Sequence, residues 1–235
     1  MLNHSKKHPS LLFIHLAKNA GKSVCHSLQI DKEFHPKDLN QTVLPGLDIR
    51  NSYTKEQWDT LTKFTIVRNP WDRMVSLYYF RKQQNDLLIK RFEEGLWTVK
   101  SGDISQKEWS FKKWILDPKN IASYLDSFGI FLDYKLRLKE NIKYNTFFRI
   151  NSEFVNQIDL ISDLDGCLLV DYIIEFSNLK PELDNMFKSL GLPLLDLPIK
   201  NSSKHKNYRE YYDKETKEFV EILFNKDIKY FNYEF

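Results

Sequence analysis

Two short stretches of this chain set cationic and hydroxyl side chains where an oxyanion could be held. The first is Ala17-Lys18-Asn19-Ala20-Gly21-Lys22-Ser23, directly after the apolar run Leu11–Leu16. Small residues let the backbone bend there, Lys18 and Lys22 bring two positive charges, and Val24, Leu28 and Ile30 begin a helical pattern. A helix N-terminus offers free backbone N–H groups and the positive end of its dipole, so loop, lysines and helix together make an anion site. The second stretch is Phe64–Ser76, reading Phe-Thr-Ile-Val-Arg-Asn-Pro-Trp-Asp-Arg-Met-Val-Ser. Four strand-like residues end at Arg68. Pro70 then suits the first turn of a helix, Asn69 its N-cap and Asp72 the positive end of its dipole. Arg68 is therefore expected at the C-terminal end of a strand, with Ser76 about two turns into the helix. Ligands of open α/β sheets bind at that end of the strands. Two anion corners suit a ligand carrying phosphate-like groups at two separated positions.

Ala20-Gly21-Lys22-Ser23 also matches the second half of a Walker A loop. That motif needs a glycine five residues before Gly21, and position 16 is Leu. Leu168-Leu169-Val170-Asp171 has the look of a Walker B strand, but Asp165-Gly166 before it is a good hairpin turn, which predicts an antiparallel strand. An ATP-dependent P-loop kinase is the alternative reading, and a non-catalytic nucleotide-binding module of the same fold is another. Neither Cys-x-x-Cys nor His-Glu-x-x-His occurs, so no metal site is expected, and a Gly-x-Ser-x-Gly nucleophile elbow is absent. Between the two corners lies a polar, turn-rich excursion, Asp31–Ser52, with His35-Pro36 and Pro45-Gly46. His35 is the candidate general base for an acceptor hydroxyl, because imidazole titrates near neutral pH. Asp48 is the fallback, and His15 is expected to pack on the first loop.

The elements that must position these groups can be read from caps and periodicity. Leu11–Leu16 reads as a buried parallel strand. Thr54 with Gln57 makes a capping box for a short helix through Leu61. A strand over Phe64–Val67 and an amphipathic helix over Pro70–Gln83 come next. Ser105 and Glu108 predict a second capping box opening a helix with Trp109, Trp114 and Ile115. Asp117-Pro118 breaks that helix, and another runs to Tyr124. Gln157–Ile161 and Leu168–Phe176 read as a hairpin across Asp165-Gly166. Pro181–Leu190 reads as a helix closed by Gly191, and Asp213 caps a last helix through Phe224 with Glu215 in its first turn. Asn201–Arg209 is a basic, donor-rich loop suited to closing over an anion.

At 235 residues, with 42% hydrophobic and 14% aromatic content, the chain is long and apolar enough for one folded domain over 1–235. Residues 1–9, which contain His4 and His8, read as a disordered tail without the apolar stretch of a signal peptide. A formal net charge of +3 argues against nucleic acid as a partner. Two cysteines, Cys25 and Cys167, give no disulfide framework. With no apolar run of transmembrane length, the expectation is a cytoplasmic protein, compatible with peripheral membrane attachment.

Phe13–Ser23 resembles the 5′-phosphosulfate loop of the sulfotransferases, usually Pro-Lys-Thr-Gly/Ala-Gly-Thr-Ser, and Phe64–Ser76 resembles their 3′-phosphate motif, with Arg and Ser eight apart. The nearest branch is family 2, which includes many carbohydrate sulfotransferases. Leu169-Val170-Asp171, Asn201-Ser202-Ser203 with Tyr208, and Asp227–Phe235 also resemble its C-terminal pattern. Here Ala17 stands for the usual Pro, Asn19 and Lys22 for two Thr, and Phe176-Ser177-Asn178 for Phe-Glu-Asn. The resemblance implies a P-loop-like three-layer α/β fold, a central mainly parallel sheet flanked by helices. It also implies 3′-phosphoadenosine-5′-phosphosulfate as donor and adenosine 3′,5′-bisphosphate as product. On that reading Arg68 and Ser76 take the 3′-phosphate, and the backbone from Asn19 through Ala20, Gly21 and Lys22 to Ser23 takes the 5′-phosphate. Lys18 stabilises the leaving oxygen, His35 is the base, and the acceptor is a hydroxyl of a carbohydrate or glycolipid.

Overall fold

Leu11, Leu12, Phe13 and Ile14 have every side chain buried, as a strand covered on both faces requires, and they form β1, Leu11–Ile14. A computed structural model describes residues 5–30, 50–94, 110–139, 152–198 and 206–235 of the chain. The second strand is β2, Thr62–Val67, and the third is β3, Tyr172–Glu175. The described sheet has the order β1-β2-β3 and is parallel throughout, with Ile14 opposite Thr65 and Val67 opposite Glu175. All three C-terminal ends therefore share one edge. The chain leaves that edge at His15, Arg68 and Phe176.

One face of the sheet packs Phe13, Phe64 and Ile174 against α1, Gly21–Ser27, and a later helix contributing Leu183, Met186 and Phe187. The opposite face packs Leu12, Ile14 and Val67 against Trp58 of α2, Lys55–Asp59, and against Leu160 and Ile161. A mixed α/β architecture with a sheet covered on both sides is thus present. The capping box expected at Thr54 and Gln57 is formed: Thr54 Oγ1 accepts from Gln57 N at 3.2 Å and Thr54 N donates to Gln57 Oε1 at 3.0 Å.

The helix after β2, α3, runs over Pro70–Glu93, ten residues beyond the expected end at Gln83. No glycine or proline interrupts Gln84–Glu93, and the i,i+4 pair Lys82–Asp86 lies across the extension. The helix bearing Trp114 and Ile115, α4, spans Phe111–Ile115 and is capped by Ser110, whose Oγ accepts from Lys113 N at 3.2 Å. Ser105, Glu108 and Trp109 lie outside the described residues. Next comes α5, Pro118–Lys139, which passes well beyond Tyr124. These helices and the C-terminal ones share a third apolar cluster built on Trp71, Tyr78, Phe111, Trp114, Tyr124 and Phe224.

The hairpin expected across Asp165-Gly166 is a correction. Gln157–Leu160 is a short helix, α6, and the turn at Asp165-Gly166 supports one antiparallel bridge, Ser162 to Leu168. Gly166 does carry a positive φ of 89°. The next strand, β3, pairs with β2 and runs parallel to it. Apolar burial at Leu160 and Ile161 reads the same in a buried helix as in a strand, so periodicity misassigned the segment. Asp171 precedes β3, and its carboxylate accepts from Lys63 N at 2.8 Å at the start of β2. It therefore stands at the opposite edge of the sheet from Arg68.

Leu179–Ser189 forms α7, ended by Gly191 at φ 66°, whose N–H donates to Lys188 O. The last two helices are α8, Lys214–Leu223, and α9, Asn225–Phe231. The expected cap at Asp213 is present, Oδ1 accepting from Thr216 N at 2.9 Å. The disordered tail expected over 1–9 is too long: Ser5 is buried with its Oγ donating to Leu28 O at 2.9 Å, and His8 packs edge-on against Phe187. No described helix is long and apolar enough to cross a membrane.

Candidate functional site

After Ile14 the chain turns through Lys18 and Ala20, both left-handed, at φ 72° and 57°. This region disfavours residues with a Cβ by about 1–2 kcal/mol each, so packing around the loop must hold it. Gly21 opens α1 under the His15 ring. A Cβ on Gly21 would fall 1.8 Å from His15 Nε2, so only glycine lets the imidazole lie there. His15 packs on the loop as its sequence position suggested. The first N–H groups of α1 have no carbonyl a turn earlier to bond, whereas Ser23 N is turned back to Ala20 O at 3.0 Å. Lys22 is exposed and Ser23 buried.

Arg68, one residue past β2, is buried and gripped on several sides. Its Nε and Nη2 donate to the two Asp72 oxygens at 2.8 and 3.0 Å, Nη1 donates to the Lys18 carbonyl at 3.0 Å, and the Phe176 ring lies 4.0 Å from its Cζ. A guanidinium has five N–H groups, so one on Nη1 and one on Nη2 are left for a ligand. The Nε–Nη2 edge that would form a fork to phosphate is held by Asp72. Asn69 caps α3 as expected, Oδ1 accepting from Trp71 N at 3.0 Å.

Positions 68, 72, 76 and 80 are four residues apart and share one side of α3 and its approach. Lys18 touches both ends of this stripe, its carbonyl at Arg68 and its Nζ 4.2 Å above the Phe80 ring. Ser76, buried, stands between them. Burial pushes the Lys18 ammonium down to about 8, helped by the Arg68, Lys22 and Arg81 charges and opposed by Glu153. Glu153 is itself held by Arg81 at 2.6 Å.

Beneath the two corners lies a fully buried polar network. Asn19 Nδ2 donates to Ile66 O and to Gln157 Oε1, each at 2.7 Å. Gln157 Oε1 also accepts from Arg68 N at 3.0 Å, while its Nε2 donates to Arg68 O at 2.9 Å and to Asp227 Oδ2 at 3.0 Å. Asp227 further accepts from the backbone N–H groups of Gln157 and Ile158 at 2.8 and 2.9 Å. Burial raises the Asp227 pKa, and these N–H groups with the Arg73 charge oppose the rise. Arg73, also fully buried, donates to the carbonyls of Ala17 at 3.3 Å and Val155 at 3.4 Å.

Lys18, Gly21, Arg68 and Ser76 are therefore brought to one edge of the sheet. The Asn19 side chain is turned away from it, so only its backbone faces the loop. Its Oδ1 is buried with no hydrogen-bond partner among the described residues. His35, Asp48 and Asn201–His205 lie outside the described residues. Gln157, Arg73, Asp227 and Phe176 were not singled out by sequence reasoning. The Arg73, Phe176 and Asp227 neighbourhoods carried a signal, since all three fall inside stretches set against the sulfotransferase patterns, whereas Gln157 carried none. Among the described residues no group of three His, Cys, Asp or Glu could hold a metal.

An uncharacterized protein of Archaeoglobus fulgidus is 27% identical over 168 residues, covering 71% of this chain and 98% of that protein. No solved structure matches. A family model described as "Sulfotransferase family" matches residues 5–234, a span that includes both anion corners, β3 and the C-terminal helices. By that match the chain belongs to the family-2 sulfotransferases.

Proposed function

We propose that the protein moves a sulfuryl group from 3′-phosphoadenosine-5′-phosphosulfate to an acceptor hydroxyl on a carbohydrate or glycolipid. The observation that carries this reading is the joining of the corners, where Arg68 Nη1 bonds the carbonyl of Lys18. A ligand with phosphates at both ends of a ribose suits such a pair, and the two free N–H groups of Arg68 fit one phosphate. The donor supplies an activated sulfuryl group. Backbone N–H groups from Asn19 to Ser23 hold its 5′-phosphate, and Arg68 with Ser76 holds the 3′-phosphate through charge-assisted contacts. Lys18 stabilises negative charge on the leaving oxygen. His35 takes the acceptor proton, and positioning does the rest, as in phosphoryl transfer.

Arg68→Ala is expected to weaken adenosine 3′,5′-bisphosphate about a hundredfold. Adenosine 5′-monophosphate should weaken by less than about tenfold, because only one loop contact goes with it. Equal losses in calorimetry would remove the 3′-phosphate assignment, and magnesium-dependent ATP binding tighter than bisphosphate binding would favour a kinase. Transfer of radiosulfate from the donor into a cell extract tests the reaction and captures the acceptor. In that assay His35→Ala should lose turnover about a hundredfold at unchanged bisphosphate affinity; unimpaired turnover removes His35 as base.

A further inference from the structure

We infer that Gln157 is the positioning residue that sets the spacing of the two anion corners, and so the preference for a ligand bearing both phosphates. The inference rests on the two-phosphate reading of the site given under Proposed function. A carboxamide has two acceptor lone pairs and two donor hydrogens, and in Gln157 all four are used. The acceptor takes Asn19 Nδ2 at 2.7 Å and Arg68 N at 3.0 Å, and the donors go to Arg68 O at 2.9 Å and Asp227 Oδ2 at 3.0 Å. Gln157 thus bonds both the N–H and the C=O of Arg68, as a neighbouring strand would, at the residue just past the end of β2. Its other arm holds Asn19, which also caps the Ile66 carbonyl of the same strand at 2.7 Å.

The 5′ loop and the Arg68 backbone therefore meet at one buried oxygen. Gln157 is fully buried, and its amide N–H and side chain are both anchored on Asp227. Its position is consequently set by the core and not by the ligand. Two linked phosphates gain affinity over one only if the second corner is already at the right distance from the first. A single phosphate needs only its own corner. Loss of the Gln157 carboxamide should therefore penalise the bisphosphate selectively, a pattern that general loosening of the fold does not produce.

The test is calorimetric titration of the full chain and of Gln157→Met with three ligands: adenosine 3′,5′-bisphosphate, adenosine 5′-monophosphate and adenosine 3′-monophosphate. Methionine keeps the length of the side chain and removes all four bonds. The expected result is a loss of about tenfold or more for the bisphosphate against less than about threefold for either monophosphate. An equal loss for all three, or no loss for any, overturns the inference. If the unaltered chain binds the bisphosphate no tighter than the monophosphates, the two-phosphate reading fails first and the inference falls with it. Should Gln157→Met not fold, Asn19→Ala removes the loop's bonds to Gln157 and to Ile66 O, leaves the Gln157 bonds to Arg68 in place, and is held to the same selective loss; a uniform loss there overturns the inference equally.

Discussion

Lys18 combines a left-handed backbone, a half-buried ammonium and three neighbouring cations, and that combination gives its charge a pH limit. Burial, with Arg68, Lys22 and Arg81, lowers its pKa from 10.5 to about 8. A lysine depressed in the folded chain is protonated in both folded and unfolded states below about pH 8, where its desolvation cost is fully present. That cost is relieved as pH rises from about 8 towards 10.5. Anion binding has the opposite dependence, because only the ammonium attracts phosphate. Both phosphates of the bisphosphate are already doubly ionised above pH 7, so affinity should fall as pH rises through about 8, by up to about tenfold per unit. Lys18→Arg should flatten this limb, since a guanidinium does not deprotonate there. A limb that persists unchanged in the variant would assign the titration to another group.

At the level of elements, the site is built where the chain leaves each of three parallel strands. After β1 comes a strained loop pressed by His15 onto Gly21, after β2 comes Arg68, and after β3 comes the Phe176 ring that stacks on it. The start of α3 was legible because Asn69, Pro70 and Asp72 encode it locally, and each behaves as its chemistry predicts. The caps at Thr54, Asp213 and Gly191 were legible for the same reason. The short helix α6 was not. It has four residues, its Asn156 N-cap makes no side-chain capping bond, and its first N–H groups are satisfied by Asp227, seventy residues away.

Across the whole molecule, the C-terminal segment ties the strand ends together. Asp227 holds the start of α6, Tyr233 Oη donates to Glu175 Oε2 at 2.6 Å beside β3, and Asn69 Nδ2 donates to Glu234 O at 2.9 Å beside β2. Phe235 packs edge-on against Trp71 of α3. Asp227→Ala would leave the backbone N–H groups of Gln157 and Ile158 and one of the two Gln157 carboxamide hydrogens unpaired in the core, and would remove a negative charge that supports the buried Arg73. The expected loss is about 3–5 kcal/mol of unfolding free energy. Chemical denaturation measures it, and a loss below about 1 kcal/mol would mean that water or a rearranged side chain replaces the carboxylate.

Local chemistry in the sequence determined where the two candidate anion corners lie, which strand and helix each belongs to, and that Arg68 ends its strand. Caps, proline and apolar runs act over a few residues, so they are written in the chain itself. Only the tertiary structure decided how the corners are used. Arg68 reaches the Lys18 carbonyl fifty residues away, Asn19 turns inward as a brace, and β3 runs parallel to β2. Each of these outcomes depends on burying a polar group or a strand edge against residues distant in the chain. Gln157 lies 138 residues from Asn19 and 89 from Arg68, and no spacing in the sequence records that they meet.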